Sequence, residues 1–453
     1  MRSLYHVVVR SILAAAVLFP MWLAYAIPFF RQKKLGARIA PEVWERKHRK
    51  YAKRFYWLAV KMRGGLIKVG QIMSTRVDLL PAGWTQELSG LQDEVDPMPW
   101  SHIERHLTHT YGRSPDELFA HLDHEATAAA SFGQVHRART KDGRDVALKI
   151  KYPDVEMKLA IDLWFFRRGV GLFNVFLPKI SLRPIAEEIT RALTTELDYE
   201  QEARFTRVVH QNFEGREGVV IPAVLDELTT KDVICTTWFD GVKITKPELL
   251  AREDLNREQL LQTLLETWVQ MMYVDGVFQS DPHPGNLLAR IEDGRAILGV
   301  VDFGQVKILT REFHQKLVNS VMAFAMGNED MFVGSLVNLG LFPDSEKEKL
   351  APLVGAVMRR LREQRPIEGE ELDFMALRDV VTSTLDQMEG VVIPQELVLY
   401  GRTFALLAGV TRAIAPNVNP IAIAKPLLTK ALLAGGPPAD PVAPAASQSR
   451  SAL

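Results

Sequence analysis

A chain of 453 residues, 47% of them hydrophobic and 24% charged, can bury a large core. It has room for two or three domain-sized units, or for one two-lobed enzyme with extensions. Lys plus Arg and Asp plus Glu stand at 55 each, which excludes a global field that would gather nucleic acid or an acidic partner. The one cysteine, Cys235, excludes an internal disulfide framework and fits a reducing compartment.

From Ile12 to Phe30 no residue is charged, whereas Arg2 and Arg10 precede the run and Arg31, Lys33 and Lys34 follow it. The length is about the minimum for a membrane span, but Pro20 and Pro28 interrupt it, and a helix interior tolerates Pro poorly. Three readings stay open: a membrane-embedded or interfacial helix, a buried helix packed on the rest of the protein, and a cleaved export signal ending near Ala24-Tyr25-Ala26.

From Arg31 to Arg63 the chain is basic and helix-prone, with a solvated face as the plain reading. Gly64-Gly65-Leu66-Ile67-Lys68-Val69-Gly70-Gln71 follows, running on to Asp78-Leu79-Leu80-Pro81. Ser101 to Ala120 reads as a helix. Gln134 to Ala138 and Val146 to Ile150 read as strands on either side of Asp142-Gly143, a good hairpin signal. Long helices are predicted over Val155 to Phe176 and Pro184 to about Asn212, a strand-like run over Val219 to Trp238, and an apolar-faced helix over Glu258 to Val274. A second hairpin joins Leu287–Ile291 to Ala296–Val301 through Asp293-Gly294. Arg311 to Ala415 reads as helices with short loops, and Gly435 to Leu453, rich in Pro, Ala and Ser, as a disordered tail.

The densest chemistry lies between Asp281 and Gly304. Asp281-Pro282-His283-Pro284-Gly285-Asn286, a hairpin, and Asp302-Phe303-Gly304 reproduce the layout with which a kinase-like fold holds Mg-ATP. Asp281 would align or deprotonate the acceptor, and Asn286 and Asp302 would hold Mg²⁺, which favours a few protein oxygens together with phosphate oxygens and water. Upstream, Lys149 ends Val146-Ala147-Leu148-Lys149, close to the kinase strand pattern V-A-I-K, where a cation neutralises the α- and β-phosphates. A carboxylate should hold that lysine, and Glu196, Asp198, Glu200 and Glu202 are the candidates. Read as one helix, they place Asp198 with Glu202 and Glu196 with Glu200 at i,i+4. His136 and His283 have no partner at metal-ligand spacing and read as neutral structural histidines.

These residues resemble the UbiB/AarF atypical kinase-like family, associated with ubiquinone biosynthesis and lipid metabolism, from about Arg38 to Asn419. Lys68-Val69-Gly70-Gln71 matches its K-x-G-Q signature. Ala128-Ala129-Ala130-Ser131-Phe132-Gly133-Gln134-Val135-His136 matches the alanine-rich loop that replaces the kinase glycine-rich loop, and Glu196-Leu197-Asp198 matches its E-x-D motif. Gln279 stands where the family usually has a structural His, and Thr236-Thr237-Trp238 lacks an acidic residue often found near Thr237.

The resemblance implies an α+β, two-lobed protein-kinase-like fold with an added N-terminal helical extension. It divides the chain into an apolar, membrane-associated segment (1–37), a K-x-G-Q helical extension (38–120), an N-lobe (121–240), a helical C-lobe (241–432) and a tail (433–453). It makes Lys149 the phosphate-binding lysine, Glu202 its partner, and Asp281 the catalytic-loop Asp. Ala128, Ala129, Ala130, Ser131 and Thr237 would border the nucleotide, and Lys68 would approach Glu196 and Asp198, over the place where a kinase admits a protein substrate. Glycines permit positive φ and close approach to phosphates, which alanines resist, so the loop should hold nucleotide differently from a protein kinase. The implied activity is an atypical kinase-like Mg-ATPase, membrane-associated with its ATP site facing the cytoplasm. Its implied partners are ATP, membrane lipid and lipid-biosynthesis enzymes, without nucleic acid. A nucleotide-gated membrane binding module without turnover is the alternative, as is a kinase acting on a protein or small molecule.

Overall fold

The computed structural model describes residues 2–35, 40–62, 64–75, 80–92, 96–174, 183–363, 394–418 and 420–433. Arg63, Asp78, Leu79 and the expected tail from 434 onward lie outside them. Along the first half come helices α1 (Arg2–Leu35), α2 (Pro41–Met62), α3 (Gly65–Thr75), α4 (Ala82–Leu88), α5 (Trp100–Tyr111) and the single turn α6 (Pro115–Leu118). Strands β1 (Phe119–Leu122), β2 (Ala128–Ala129), β3 (Gly133–Thr140) and β4 (Asp145–Lys151) follow, then helices α7 (Val155–Asn174), α8 (Arg183–Thr195) and α9 (Tyr199–Phe213). Strands β5 (Val219–Val220) and β6 (Val233–Thr237) complete this half.

The chain forms two compact units, Met1–Gln201 with Val224–Trp238, and Glu202–Ala223 with Phe239–Leu453. In the first, the strands form an antiparallel sheet of order β1-β3-β4-β6, with β2 pairing the outer part of β3. Alternate residues Val146, Leu148 and Ile150 point to a core closed by Ile103 and Leu107 of α5 and by Cys235. A second core lies among helices, where Phe55, Leu58, Val69, Leu88, Leu159 and Leu193 meet. Gly70 lets α3 pack closely there: a Cβ would stand 2.3 Å from Leu91 Cδ1, so the Leu91 side chain would have to turn aside.

Four expectations change in this unit. Helix α1 runs unbroken through Pro20 and Pro28. Packing of its Ala14, Met21 and Pro28 face into the unit outweighs the backbone bonds that the prolines remove. Helix α2 is amphipathic rather than solvated, burying Tyr51, Phe55, Leu58 and Met62. The helix foreseen to Ala120 stops at Tyr111, where Gly112 takes φ +68°, and Phe119 already starts a strand. The acidic helix is two helices, because Asp198 turns the chain and its Oδ1 accepts the Gln201 amide at 2.8 Å.

In the second unit, Val219–Val220 belongs to a sheet of order β5-β10-β9-β7, so the run foreseen over Val219 to Trp238 is divided between the units. Its elements are β7 (Val242–Lys243), α10 (Pro247–Leu250), α11 (Arg257–Val269), β8 (Val277–Gln279), β9 (Leu287–Glu292), β10 (Arg295–Val300) and β11 (Val306–Ile308). Helices α12 (Arg311–Met326), α13 (Glu329–Asn338), α14 (Lys347–Glu363), Gln395–Ile414 and Pro420–Leu433 follow. Asn256, Thr310 and Asn328 cap α11, α12 and α13 through their side chains. Helix α11 loosens into a π-helical turn over Gln270–Asp275 before β8. Trp268, Phe278, Leu260, Leu298 and Phe303 fill the core beneath.

Candidate nucleotide site

In the second unit one hairpin gathers the acidic motifs. Strands β9 and β10 pair in register from Leu287↔Val300 to Glu292↔Arg295, and Asp293 (φ +50°) and Gly294 (φ +74°) make the tight turn. Asn286 and Asp302 therefore flank the hairpin's open end, where the Val301 amide donates to the Asn286 carbonyl at 3.1 Å. Asn286 Nδ2 donates to the Asp281 carbonyl at 3.3 Å. His283 Nδ1 accepts the Gly285 amide at 3.2 Å, which shapes the turn between Asp281 and Asn286.

Gln279, fully buried, clamps the Asp281 peptide from both sides. Its Nε2 donates to the Asp281 carbonyl at 2.6 Å, and its Oε1 accepts the Asp281 amide at 3.1 Å. The indole of Trp268 fixes the Gln279 carbonyl at 3.0 Å. A glutamine amide, donating through Nε2 and accepting through Oε1, thus does the hydrogen-bonding work at a position where a histidine is usual in the resembled family. Helix Gln395–Ile414 braces the same loop. Thr403 Oγ1 donates to the Ser280 carbonyl at 3.1 Å, and Arg402 Nη2 meets Asp281 Oδ1 at 3.2 Å. Arg402 was not foreseen from sequence, where it reads as one cation in an apolar helix.

Glu202, nearly buried on α9, converges with Asp302 on Gly304. A Cβ on that glycine would lie 3.2 Å from Glu202 Oε2 and 3.2 Å from Asp302 Oδ1. Among the described residues no three His, Cys, Asp or Glu side chains are placed to hold a metal by themselves. A divalent ion held by Asn286 and Asp302 would thus complete its shell with phosphate oxygens and water, as Mg²⁺ does.

In the first unit, Lys149 lies on β4 between Val135 and Ile234 of the neighbouring strands. Its Nζ stands 5.4 Å from the centre of the Tyr199 ring. Ala128 and Ala129 pair with Val135 and Gln134, and the Ala130 amide donates to the Gly133 carbonyl at 2.8 Å, so the alanine run is one arm of a tight turn. Ser131 and Phe132 are buried in it. The requirement for glycine falls on Gly133, whose Cβ would lie 2.4 Å from the Ile150 carbonyl oxygen. Thr237 pairs with Val146 at the end of β6.

Lys68 Nζ bonds Glu196 Oε1 at 3.0 Å, both side chains being about three-quarters buried. Gln71 Nε2 donates to the Leu91 carbonyl at 2.7 Å. Glu196 and Glu200 share no helix face, because Glu196 precedes α9 and Asp198 caps it. The two acids of the E-x-D motif therefore have different tasks. His136 is buried, its Nδ1 2.7 Å from the Asp123 carbonyl and its Nε2 2.8 Å from Gln134 Nε2, and burial pushes its pKa down. The ring is neutral and structural.

Comparison with known proteins agrees with this frame. The ABC1 atypical kinase-like domain matches residues 90–335, and the chain belongs to that family. An uncharacterised protein of Synechocystis is 31% identical over 366 residues, covering 80% of this chain and 61% of the relative. The chloroplastic protein ACTIVITY OF BC1 COMPLEX KINASE 1 of Arabidopsis thaliana is 29% identical over 381 residues, covering 82% and 54%. The chain thus spans little more than half the length of these curated relatives. The structure of Rv3197 in complex with erythromycin from Mycobacterium tuberculosis, 24% identical, superposes with a TM-score of 0.52 and covers 82% of this chain and 94% of that one. The fold is protein-kinase-like, α+β, with an N-terminal helical region.

Proposed function

We propose that the protein is an atypical kinase-like Mg-ATPase that works at a membrane, on or beside an isoprenoid-lipid pathway such as ubiquinone biosynthesis. The observation that carries the nucleotide reading is the assembly of Asp281, Asn286 and Asp302 around one hairpin end, with Asn286 bonded to the Asp281 carbonyl. In this reading Asn286 and Asp302 hold Mg²⁺, and Lys149, with Glu202 as its partner, grips the α- and β-phosphates. The Ala128–Ser131 arm and Thr237 border the nucleotide, and Asp281 aligns water or an acceptor hydroxyl. Bound Mg²⁺ would neutralise charge on the phosphates. The Lys68–Glu196 ion pair favours hydrolysis over phosphorylation of proteins, because in the resembled family this region covers the protein-substrate entrance. The lipid side rests on the family resemblance and on the apolar run within α1, which is long enough to cross a membrane.

The test is Mg-dependent ATP hydrolysis by the full chain, with and without anionic liposomes. Asp302→Asn should lower turnover by roughly 10²-fold or more. Equal turnover by this variant would refute the assignment. A parent protein that binds ATP without turning it over would show a nucleotide-gated module instead.

A further inference from the structure

The uncharged run of α1 looks like a transmembrane segment by length, yet it is strapped lengthwise to the first unit at two places. Near its start Arg10, itself buried, reaches Asp162 of α7 through Nε (3.2 Å) and Nη2 (2.8 and 2.6 Å), while its Nη1 donates to the Met62 carbonyl at 2.6 Å. Asp162 is wholly buried, so an α1 that moved away would leave an uncompensated interior charge. Fourteen residues on, Lys47 Nζ donates to the Ala24 carbonyl at 3.0 Å. There Tyr25 Oη also meets His48 Nδ1 at 2.8 Å and receives the Trp84 indole N–H at 3.1 Å. The straps are about 22 Å apart along the axis, so they hold most of the segment that a bilayer would have to receive.

The two sides of the helix differ. Arg10, Ala14, Met21 and Pro28 face the protein, whereas Val8, Ile12, Phe19, Ile27 and Phe30 form an exposed stripe on the opposite side. No charge interrupts that stripe until the exposed Arg31 and Lys34 at its end. Only 22% of the apolar window is buried. A single apolar face continued by cations is complementary to an anionic lipid surface.

Building on the membrane reading above, we propose that α1 attaches the protein in the plane of the membrane interface. The Val8–Phe30 stripe would be immersed in one leaflet while the Arg10 and Ala24–Tyr25 straps stay closed, without crossing the bilayer. Arg31 and Lys34 would meet the anionic headgroups.

Single cysteines at Ile12, Phe19 and Ile27, each labelled with an environment-sensitive fluorophore in the full chain, test this on vesicles of phosphatidylcholine and phosphatidylglycerol carrying quenchers at known depths. The native Cys235 is buried and stays in place. In-plane attachment predicts a blue shift at all three positions and one common shallow depth, about 5–10 Å into the headgroup boundary. A deep Phe19 with shallow Ile12 and Ile27 overturns the inference in favour of a span. Vesicle binding without a shift at any position overturns it too but leaves membrane association intact through another surface. Absence of any co-sedimentation defeats both. As a label-free control, Ile12→Glu with Phe19→Glu, both on the exposed side, should lower vesicle binding at least tenfold while thermal unfolding in solution stays where it is. Unchanged vesicle binding, or a stripe found buried against a second copy of the chain in solution, refutes the proposal.

Discussion

Arg402 and Asp281 lie 121 residues apart in sequence and meet as an ion pair with the arginine side chain 52% exposed. Exposed pairs of this kind contribute about 0.2–1 kcal/mol to stability, so the value of Arg402 lies in aiming the Asp281 carboxylate. Arg402→Ala should leave thermal unfolding nearly unchanged while lowering kcat for ATP turnover more than it alters KM, with partial recovery in Arg402→Lys. Gln279 is the opposite case. It is fully buried and bonds both polar atoms of the Asp281 peptide, so Gln279→Ala strands a donor and an acceptor at about 1–3 kcal/mol. A urea unfolding midpoint lower than the parent's is the expected result. At this scale Asp281, Asn286 and Asp302 stood out as candidates because their types and order fall in one short stretch, and the hairpin brings the latter two to its open end. Arg402 did not, since nothing local ties an arginine in an apolar helix to a loop so far upstream. Glu196 was legible as a partner for Lys68 only through the family resemblance.

Among elements, α1 and α7 are joined by the Arg10–Asp162 contact. Burial pushes the Asp162 carboxyl up to about 6, against the opposing pull of Arg10 and the Gly65 and Leu66 amides. A carboxyl with a raised folded-state pKa binds more protons folded than unfolded, so its contribution favours folding below about pH 4 and fades as pH rises through 6. Arg10→Ala removes the compensating cation and should cost about 3–5 kcal/mol at pH 7.5. The loss should be smaller at pH 5, where Asp162 takes up a proton, and chemical unfolding at the two pH values checks it. Both hairpins could be read from sequence because Asp-Gly turns punctuate strand-like runs. The break between α8 and α9 was missed because Glu196 and Leu197 suit a continuing helix and the acids lie at i,i+4 spacing. The available signal was Asp198 three residues before Gln201, the spacing of a capping box. The continuity of α1 through its prolines was missed for another reason: packing decided it, and packing has no local signature.

For the molecule as a whole, binding of Mg-ATP to the folded state alone must raise its stability by mass action, about 2.7 kcal/mol at a hundredfold excess over Kd. A thermal shift with ATP and Mg²⁺ is expected for the parent, and a much smaller one for Asp302→Asn. The order of helical preface, mixed unit and helical unit was legible in periodicity and turn signals, and the α+β, kinase-like class came through the family resemblance. The division of Val219 to Trp238 between two units was not, because it depends on partners distant in sequence. The β9–β10 hairpin has one more consequence, for how length varies between relatives. Its open end holds Asn286 and Asp302 on either side, whereas its tip at Asp293-Gly294 lies beyond the six residues of each strand. Extra residues at the tip would leave Asn286 and Asp302 where they are, but a single deletion within either strand would turn Asp302 to the opposite face. The number of residues between this asparagine and aspartate is therefore free to drift, and alignments should anchor on the paired strands rather than on a fixed gap.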